Sequence, residues 1–269
     1  MRRDLLYPIY PRSMSFVERF AVKVGHTIGF CPVCGQLGIM VFWGSNFRET
    51  GLCINCRSTC RQRQIAYILC KSLASWKNLS ISSLSSLRKY SELAIYNTEA
   101  SGSLHRQLAT MPCYVCSEYF GVRHSPGEMV KSVRHEDLAN LSFPDNSFDV
   151  VLSSDVLEHV PLPYRAHQEV FRVLKPGGRH IFTVPFHLTG YSDVVLAELD
   201  GEKLELLKPP IYHQDPLSTK GILVYTIFSL EMLLKLHEIG FRTNMYLLYH
   251  PVLGILGPNG IIFEGIKGD

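Results

Sequence analysis

The sequence predicts an α/β protein, a mostly parallel sheet with flanking helices, preceded by a small module organised by four cysteines. Two observations carry that prediction. Leu141 to Phe186 reads as an acidic turn, an apolar β-branched strand, an amphipathic helix, a Lys-Pro-Gly-Gly stop and a second apolar strand. Nearer the front, Cys31-Pro-Val-Cys34 and Cys53-Ile-Asn-Cys56 repeat one short spacing on either side of residues 35–52.

In chain order, residues 1–28 read as an N-terminal arm. The opening MRRDLLYPIYPRSM is basic, but no apolar run or small-residue cleavage site follows, so it lacks the pattern of a signal peptide. Residues 29–66 form the cysteine module. One C-x-x-C knuckle points two thiolates at an ion, and two knuckles joined by a hairpin complete a tetrahedral site for structural Zn2+ at Cys31, Cys34, Cys53 and Cys56. Gly35 supplies a tight turn and Leu37 to Gly44 the intervening strand. Such pairing suits a reducing, cytoplasmic compartment. Cys60 reads as a bystander opening the next helix and Cys70 as core. Cys113 and Cys116 sit on a strand, where positions three apart face opposite ways. Arg57, Arg61 and Arg63 form either a solvated helix face or an anion-binding patch. Residues 67–90 are a helical, serine-rich linker.

Residues 91–269 carry the α/β pattern. Strands are expected at Leu93 to Tyr96, Tyr114 to Ser117, a third ending at His135 to Leu138, and Asp149 to Ser153. Ala166, Val170, Phe171 and Leu174 give the crossover helix an apolar face. Lys175-Pro176-Gly177-Gly178 ends it, and Ile181 to Pro185 opens the next strand. Residues 187–221, with Tyr191, Lys208, Tyr212 and His213, are too long for a plain connection and read as a lid. Ser229 caps a helix running to Ile239 and stopped by Gly240. Two closing strands near 244–249 and 261–266 join through Pro258-Asn259-Gly260.

The chain has 269 residues, 46% hydrophobic and 19% charged, with a formal net charge of +3. That is too little positive charge to imply a nucleic-acid binder by itself, and no apolar run reaches the ~18 residues of a membrane span.

The wording LSFPDNSFDVVL, then LEH, then VLKPGG resembles the class I S-adenosylmethionine (SAM) dependent methyltransferases of the type 11 branch. The resemblance implies a Rossmann-like sheet, parallel with one antiparallel strand near the edge, and SAM lying across the carboxyl ends of the first four strands. It assigns Asn97, Glu99 and Gly102 to the loop beside the methionine moiety, where the family has an acid followed by G-x-G-x-G and this chain keeps one glycine. It assigns Glu118 to the ribose hydroxyls, Asp137 to the adenine amino group, Leu138 to the adenine ring, and Ser153 and Ser154 to the wall beside the transferred methyl.

Asp155, Glu158 and His159 form D-x-x-E-H, expected at the start of the helix after the fourth strand so that at least two share a face. His159 is the general-base candidate, with Glu158 beside it and His213 in the lid as a further acid or base. In related sequences E-x-x-E-H can hold a divalent ion; a structural role for the motif is the third reading. The cysteine module followed by this domain is similar to a zinc-ribbon methyltransferase subgroup often associated with glycan biosynthesis. The expected activity is SAM-dependent methyl transfer to an oxygen, with nitrogen the lesser choice, of a small polar acceptor such as a saccharide or phosphorylated intermediate. Two alternatives stand beside it: an RNA methyltransferase whose zinc module grips phosphate, and a non-catalytic scaffold whose loop binds no SAM.

Overall fold

A computed structural model describes residues 15–43, 46–201, 203–215, 218–257 and 260–268. The basic N-terminal stretch and the Pro258-Asn259 turn fall outside them. The chain divides into two compact units, Ile9–Cys116 with Met245–Phe263, and Ser117–Asn244 with Glu264–Asp269.

In the first unit, α1 (Phe16–Val24) starts at a capping box in which Ser15 and Glu18 bond each other's backbone, and it ends at left-handed Gly25. Strands β1 (His26–Phe30), β2 (Leu37–Val41) and β3 (Leu52–Cys53) form an antiparallel sheet in that order. Helix α2 (Cys60–Lys77) opens on a second capping box, Thr59 with Gln62, and buries Ile65, Ile68, Leu69 and Leu73. Cys60 donates its thiol to the Leu256 carbonyl, and Cys70 is buried. Strands β4 (Ile95–Asn97) and β5 (Tyr114–Glu118) pair in parallel, with α3 (Gly102–Leu108) between them in sequence.

The expected row of Arg57, Arg61 and Arg63 does not form. Arg63 is fully buried and donates to the carbonyls of Ser58 (2.8 Å) and Gly254 (2.7 Å). Arg61 grips the Glu49 carboxylate at 2.9 Å, and only Arg57 faces solvent. Helical spacing cannot show which arginine the fold consumes. Removing Arg63 takes the partner from the buried Gly254 carbonyl and leaves the Ser58 carbonyl with the Cys53 amide alone, so Arg63→Met should cost about 2–4 kcal/mol in urea unfolding. Arg61→Ala, at a partly exposed ion pair, should cost under about 1 kcal/mol.

In the second unit, the end of β5 pairs in parallel with β7 (Val133–His135), and β6 (Met129–Val130) lies antiparallel on β7. Strand β8 (Phe148–Ser154) is buried at every residue, as expected of a strand covered on both faces. Helix α4 (Pro163–Val173), with proline in its first turn, buries Ala166, Val170 and Val173. Strand β9 (Leu174–Thr183) runs parallel to β8. Here the structure corrects the sequence reading. Lys175-Pro-Gly-Gly is not a spacer before the strand but a bulge within it: the register jumps from Phe148–Leu174 to Val150–Arg179. Gly177, at φ 71°, supplies the left-handed backbone that absorbs the extra residues.

The eight-stranded sheet has the order β16-β17-β9-β8-β4-β5-β7-β6, where β16 is Phe241–Leu247 and β17 Ile261–Lys267. The pairings above make it mostly parallel with antiparallel β6 at one edge, a Rossmann-like doubly wound sheet.

The residues after β9, which the sequence suggests as a lid, have regular structure. They fold into paired strands: β10 (Val194–Val195) with β15 (Thr226–Ile227), β11 (Ala197–Asp200) with β12 (Lys203–Leu206), and β13 (Tyr212–Asp215) with β14 (Ser218–Leu223). Leu196, Val224 and Ile227 give the insertion a small core. Asp193 anchors its start, accepting from the Ser229 amide and the Tyr164 hydroxyl. Helix α5 (Leu230–Ile239) follows Ser229 and stops at Gly240, φ 114°. The two last strands are joined by more than a tight turn, since Pro251–Leu253 is a 3-10 turn and His250 bridges Ile255.

Two of this unit's buried histidines lie side by side. His180 on β9 lies 3.0 Å from the Ser153 hydroxyl, and the fully buried His167 of α4 is 5.5 Å from it, ring to ring. Burial pushes His167 down to about 3 and His180 well below its ordinary value. The unfolded chain therefore binds protons more readily than the folded one below about pH 6.5. Stability is full above that pH, and acid should remove it at up to about 1.4 kcal/mol per pH unit for each histidine, the His167 contribution ending near pH 3. His167→Phe should flatten the acid limb of a urea-midpoint-against-pH curve.

Candidate active site and cysteine centre

The first unit brings together all four cysteines of the two knuckles. Their sulfurs lie within 4.8 Å of one another, with Cys31 and Cys56 3.7 Å apart. Tetrahedral zinc with Zn–S near 2.3 Å sets sulfurs about 3.8 Å apart, so the donor set fits. The knuckles are built alike: the Gly35 amide bonds the Cys31 carbonyl at 2.8 Å, and the Arg57 amide bonds the Cys53 carbonyl at 2.7 Å. The buried Ser58 hydroxyl lies 3.3 Å from Cys31 Sγ and 3.2 Å from Cys56 Sγ. Hydrogen bonds from Cys56 and Ser58 hold the Cys31 thiol below its ordinary pKa, which favours the thiolate that binds metal.

The same knuckle holds the loop after β4. Ser103 Oγ and Arg106 Nη2 each donate to the Cys56 carbonyl at 2.9 Å. Within the loop, Asn97 Nδ2 donates to the Glu99 carbonyl (2.8 Å) and the Tyr114 hydroxyl (3.1 Å), while Asn97 Oδ1 is buried without a partner among the described residues. Gly102 has φ 78°, a backbone conformation open to glycine at little cost.

In the second unit, Glu118 ends β5 half-buried, and its carbonyl accepts the Glu136 amide. Asp137 Oδ1 caps the next turn through the Ala139 amide at 2.9 Å, and Leu138 is buried. Ser153 and Ser154 end β8, both buried. Sequence reasoning missed Tyr119 and Tyr225. Burial, then the neighbouring Asp137 and Tyr225, raise the half-exposed Tyr119 phenol above its ordinary value. The Tyr225 amide bonds the Glu158 carbonyl at 2.7 Å, which ties this residue's backbone to the Glu158 turn. An aromatic in a long connection gives no sequence signal for that position.

Leu157–His159 is a 3-10 turn, not the first turn of the helix, which begins only at Pro163. The shared-helical-face reading of D-x-x-E-H is therefore replaced. Asp155 turns away in a left-handed conformation (φ 54°) and accepts from the Thr183 hydroxyl at 2.7 Å. Glu158 and His159 are joined instead by His213 from β13. Glu158 Oε1 lies 3.5 Å from His213 Nδ1 and 3.8 Å from His159 Nε2, and the two rings meet edge to face at 5.0 Å. Glu158 is fully buried, yet neither carboxylate oxygen has a hydrogen-bond partner among the described residues. His159 Nδ1 is 2.7 Å from the Leu223 carbonyl, so it carries a proton and donates it. In a neutral ring Nε2 is then a lone pair aimed at a carboxylate, an arrangement that calls for a proton or a cation between them.

Residues 101–182 match the family model of a methyltransferase domain. That span runs from α3 through β9 and contains Gly102, Glu118, Asp137, Glu158 and His159; His213 and the four paired cysteines lie outside it. An uncharacterized methyltransferase of Mycobacterium tuberculosis is 42% identical over 71 residues, covering 22% of this chain and 28% of the relative. Another, from Mycobacterium sp. strain KMS, is 44% identical over 91 residues, 28% of this chain and 36% of the relative. The chain thus spans about a third of the length of the curated relatives it matches. Among solved structures, a SAM-dependent methyltransferase from Mesorhizobium loti is 16% identical with a TM-score of 0.40, covering 65% of this chain and 91% of that one. The 1,6-didemethyltoxoflavin-N1-methyltransferase of Burkholderia thailandensis is 16% identical with a TM-score of 0.37, covering 69% and 77%. Among the described residues no helix is long and apolar enough to cross a membrane.

Proposed function

We propose that the chain transfers the methyl group of SAM to a hydroxyl oxygen of a small polar acceptor, a saccharide or phosphorylated intermediate. The observation that carries the oxygen acceptor is the buried Glu158 with two imidazoles around it. In-line attack forms the O–CH3 bond, breaks the S–CH3 bond and leaves S-adenosylhomocysteine, while the acceptor's proton must go to a base. His159 Nε2 takes that proton. Its Nδ1–H is fixed on the Leu223 carbonyl, and Glu158 stabilises the imidazolium that results. His213 approaches the same oxygen, Oε1, beside the His159 ring and orients the carboxylate.

A second reading rests on the same unpartnered carboxylate. Glu158, His159 and His213 offer one ligand atom each, a set of two imidazoles and a carboxylate that suits a divalent cation with open positions. Such an ion would polarise the acceptor hydroxyl.

For the cofactor, Glu118 takes the ribose hydroxyls, Asp137 the adenine amino group and Leu138 the ring face, with Asn97, Glu99 and Gly102 assigned to the methionine moiety and Ser153 and Ser154 beside the methyl. Zinc at the four paired cysteines is structural. Glu118→Ala should weaken S-adenosylhomocysteine binding about tenfold or more, the loss of charge-assisted hydrogen bonds, with the unfolding midpoint unchanged. Unaltered affinity removes Glu118 from the site. Methyl-labelled SAM offered with sugars, sugar phosphates, amines and RNA tests the acceptor class; label on a sugar hydroxyl is expected, and label on RNA or on an amine overturns the assignment.

A further inference from the structure

Beside the second cysteine knuckle lies a cavity of about 520 Å3, lined by Arg57, Arg88 and Arg106 together with Gln36, Asn55 and Gln107. No carboxylate lines it. Arg57 and Arg88 are exposed, and their guanidinium groups make no ion pair or hydrogen bond among the described residues. Arg106 is held by one end only: Nη2 donates to the Cys56 carbonyl and the Ser103 hydroxyl, which leaves Nε and Nη1 for a ligand. Two of the four paired cysteines, Cys34 and Cys56, also line it and offset part of the charge, but three guanidinium groups gathered on one wall still repel one another, and an anion relieves that repulsion while accepting charge-assisted bonds.

Arg57 adds an independent sign. The two knuckles make the same turn, and at the matching position the first has Gly35 at φ 75° while the second has Arg57 at φ 62°. An arginine in a left-handed conformation is strained where glycine is not. The second knuckle keeps the side chain at that cost, and the side chain lines the cavity. Such outliers gather at ligand sites.

We propose that this cavity binds the phosphate group of a small phosphorylated molecule, of the size of a sugar phosphate. Its volume lies in the range of small-molecule sites, and Gln36, Asn55 and Gln107 supply the neutral donors and acceptors that a polyhydroxyl body needs. A nucleic acid would call for an extended basic track rather than a compact cluster of three charges. The site lies within the cysteine-bearing unit and does not depend on the methyl-transfer reading.

Calorimetry on the zinc-loaded full chain with glucose 6-phosphate, glucose and inorganic phosphate tests it. Glucose 6-phosphate should bind about tenfold or more tightly than glucose, inorganic phosphate should compete, and Arg88→Met should weaken binding about tenfold. Arg57→Gly is the discriminating variant, since it relieves backbone strain while removing a ligand group. It should raise the unfolding temperature slightly and still lose about tenfold in affinity. Equal affinity for glucose and glucose 6-phosphate, or affinity indifferent to both substitutions, overturns the proposal. So does tighter, steeply salt-dependent binding of a single-stranded RNA. Loss of zinc from Arg88→Met without loss of an initial phosphate affinity would make the arginines counter-charges of the metal centre instead.

Discussion

Cys53→Ser is expected to release zinc and unfold the front of the chain. Four sulfurs lie within 4.8 Å of one another, two of the cysteines buried, a donor set suited to one tetrahedral ion. The sheet they organise is three short strands, with β3 only two residues long. Zinc binding at such a site supplies on the order of 10 kcal/mol or more, which exceeds the stability of most domains. The loss should reach beyond the metal, because Ser103 and Arg106 hang the loop after β4 on the Cys56 carbonyl. Elemental analysis should find one zinc per chain, and proteolysis of Cys53→Ser should cut first between β1 and α2. Cys113→Ser, at an exposed cysteine outside the cluster, should keep the metal. A Cys53→Ser protein with full zinc or an unchanged unfolding midpoint contradicts the assignment.

Glu158→Gln should lower methyl transfer by about 10²–10⁴-fold, the usual contribution of a positioned proton acceptor. The substitution keeps volume but leaves His159 Nε2 facing an amide rather than a carboxylate. S-adenosylhomocysteine affinity should stay within about twofold, since Glu158 is assigned no cofactor contact. His213→Gln, which keeps the carboxylate and removes its second imidazole, should cost less than Glu158→Gln if proton transfer dominates, and as much if a cation bridges all three groups. A Glu158→Gln enzyme of wild-type rate removes the cluster from the chemistry.

The sheet was legible because its signals are local. Phe148 to Ser154 is apolar enough to need cover on both faces, and Ala166 and Val170 recur at helical spacing. The two knuckles were legible for the same reason, four residues in a fixed short pattern. The active cluster was legible only in part. Glu158 and His159 stand together in sequence, but His213 reaches them through a hairpin insertion whose strands have no strong alternation, so sequence alone suggested a loop. The left-handed turn at Asp155, which takes that residue to Thr183, depends on a neighbouring strand and leaves no trace in spacing. Arg63 misled for a related reason: a charged residue on a polar helix face was consumed by the Ser58 and Gly254 carbonyls, the latter distant in sequence.

SAM binding is proposed for a chain whose loop after β4 keeps Gly102 alone of a G-x-G-x-G pattern. Calorimetric titration of the zinc-loaded chain with S-adenosylhomocysteine tests it most directly. One site per chain is predicted, with a dissociation constant in the micromolar range, about −8 kcal/mol, and Glu118→Ala should weaken it. No heat, and no competition by SAM, at millimolar ligand would contradict the account and leave the fold as a scaffold.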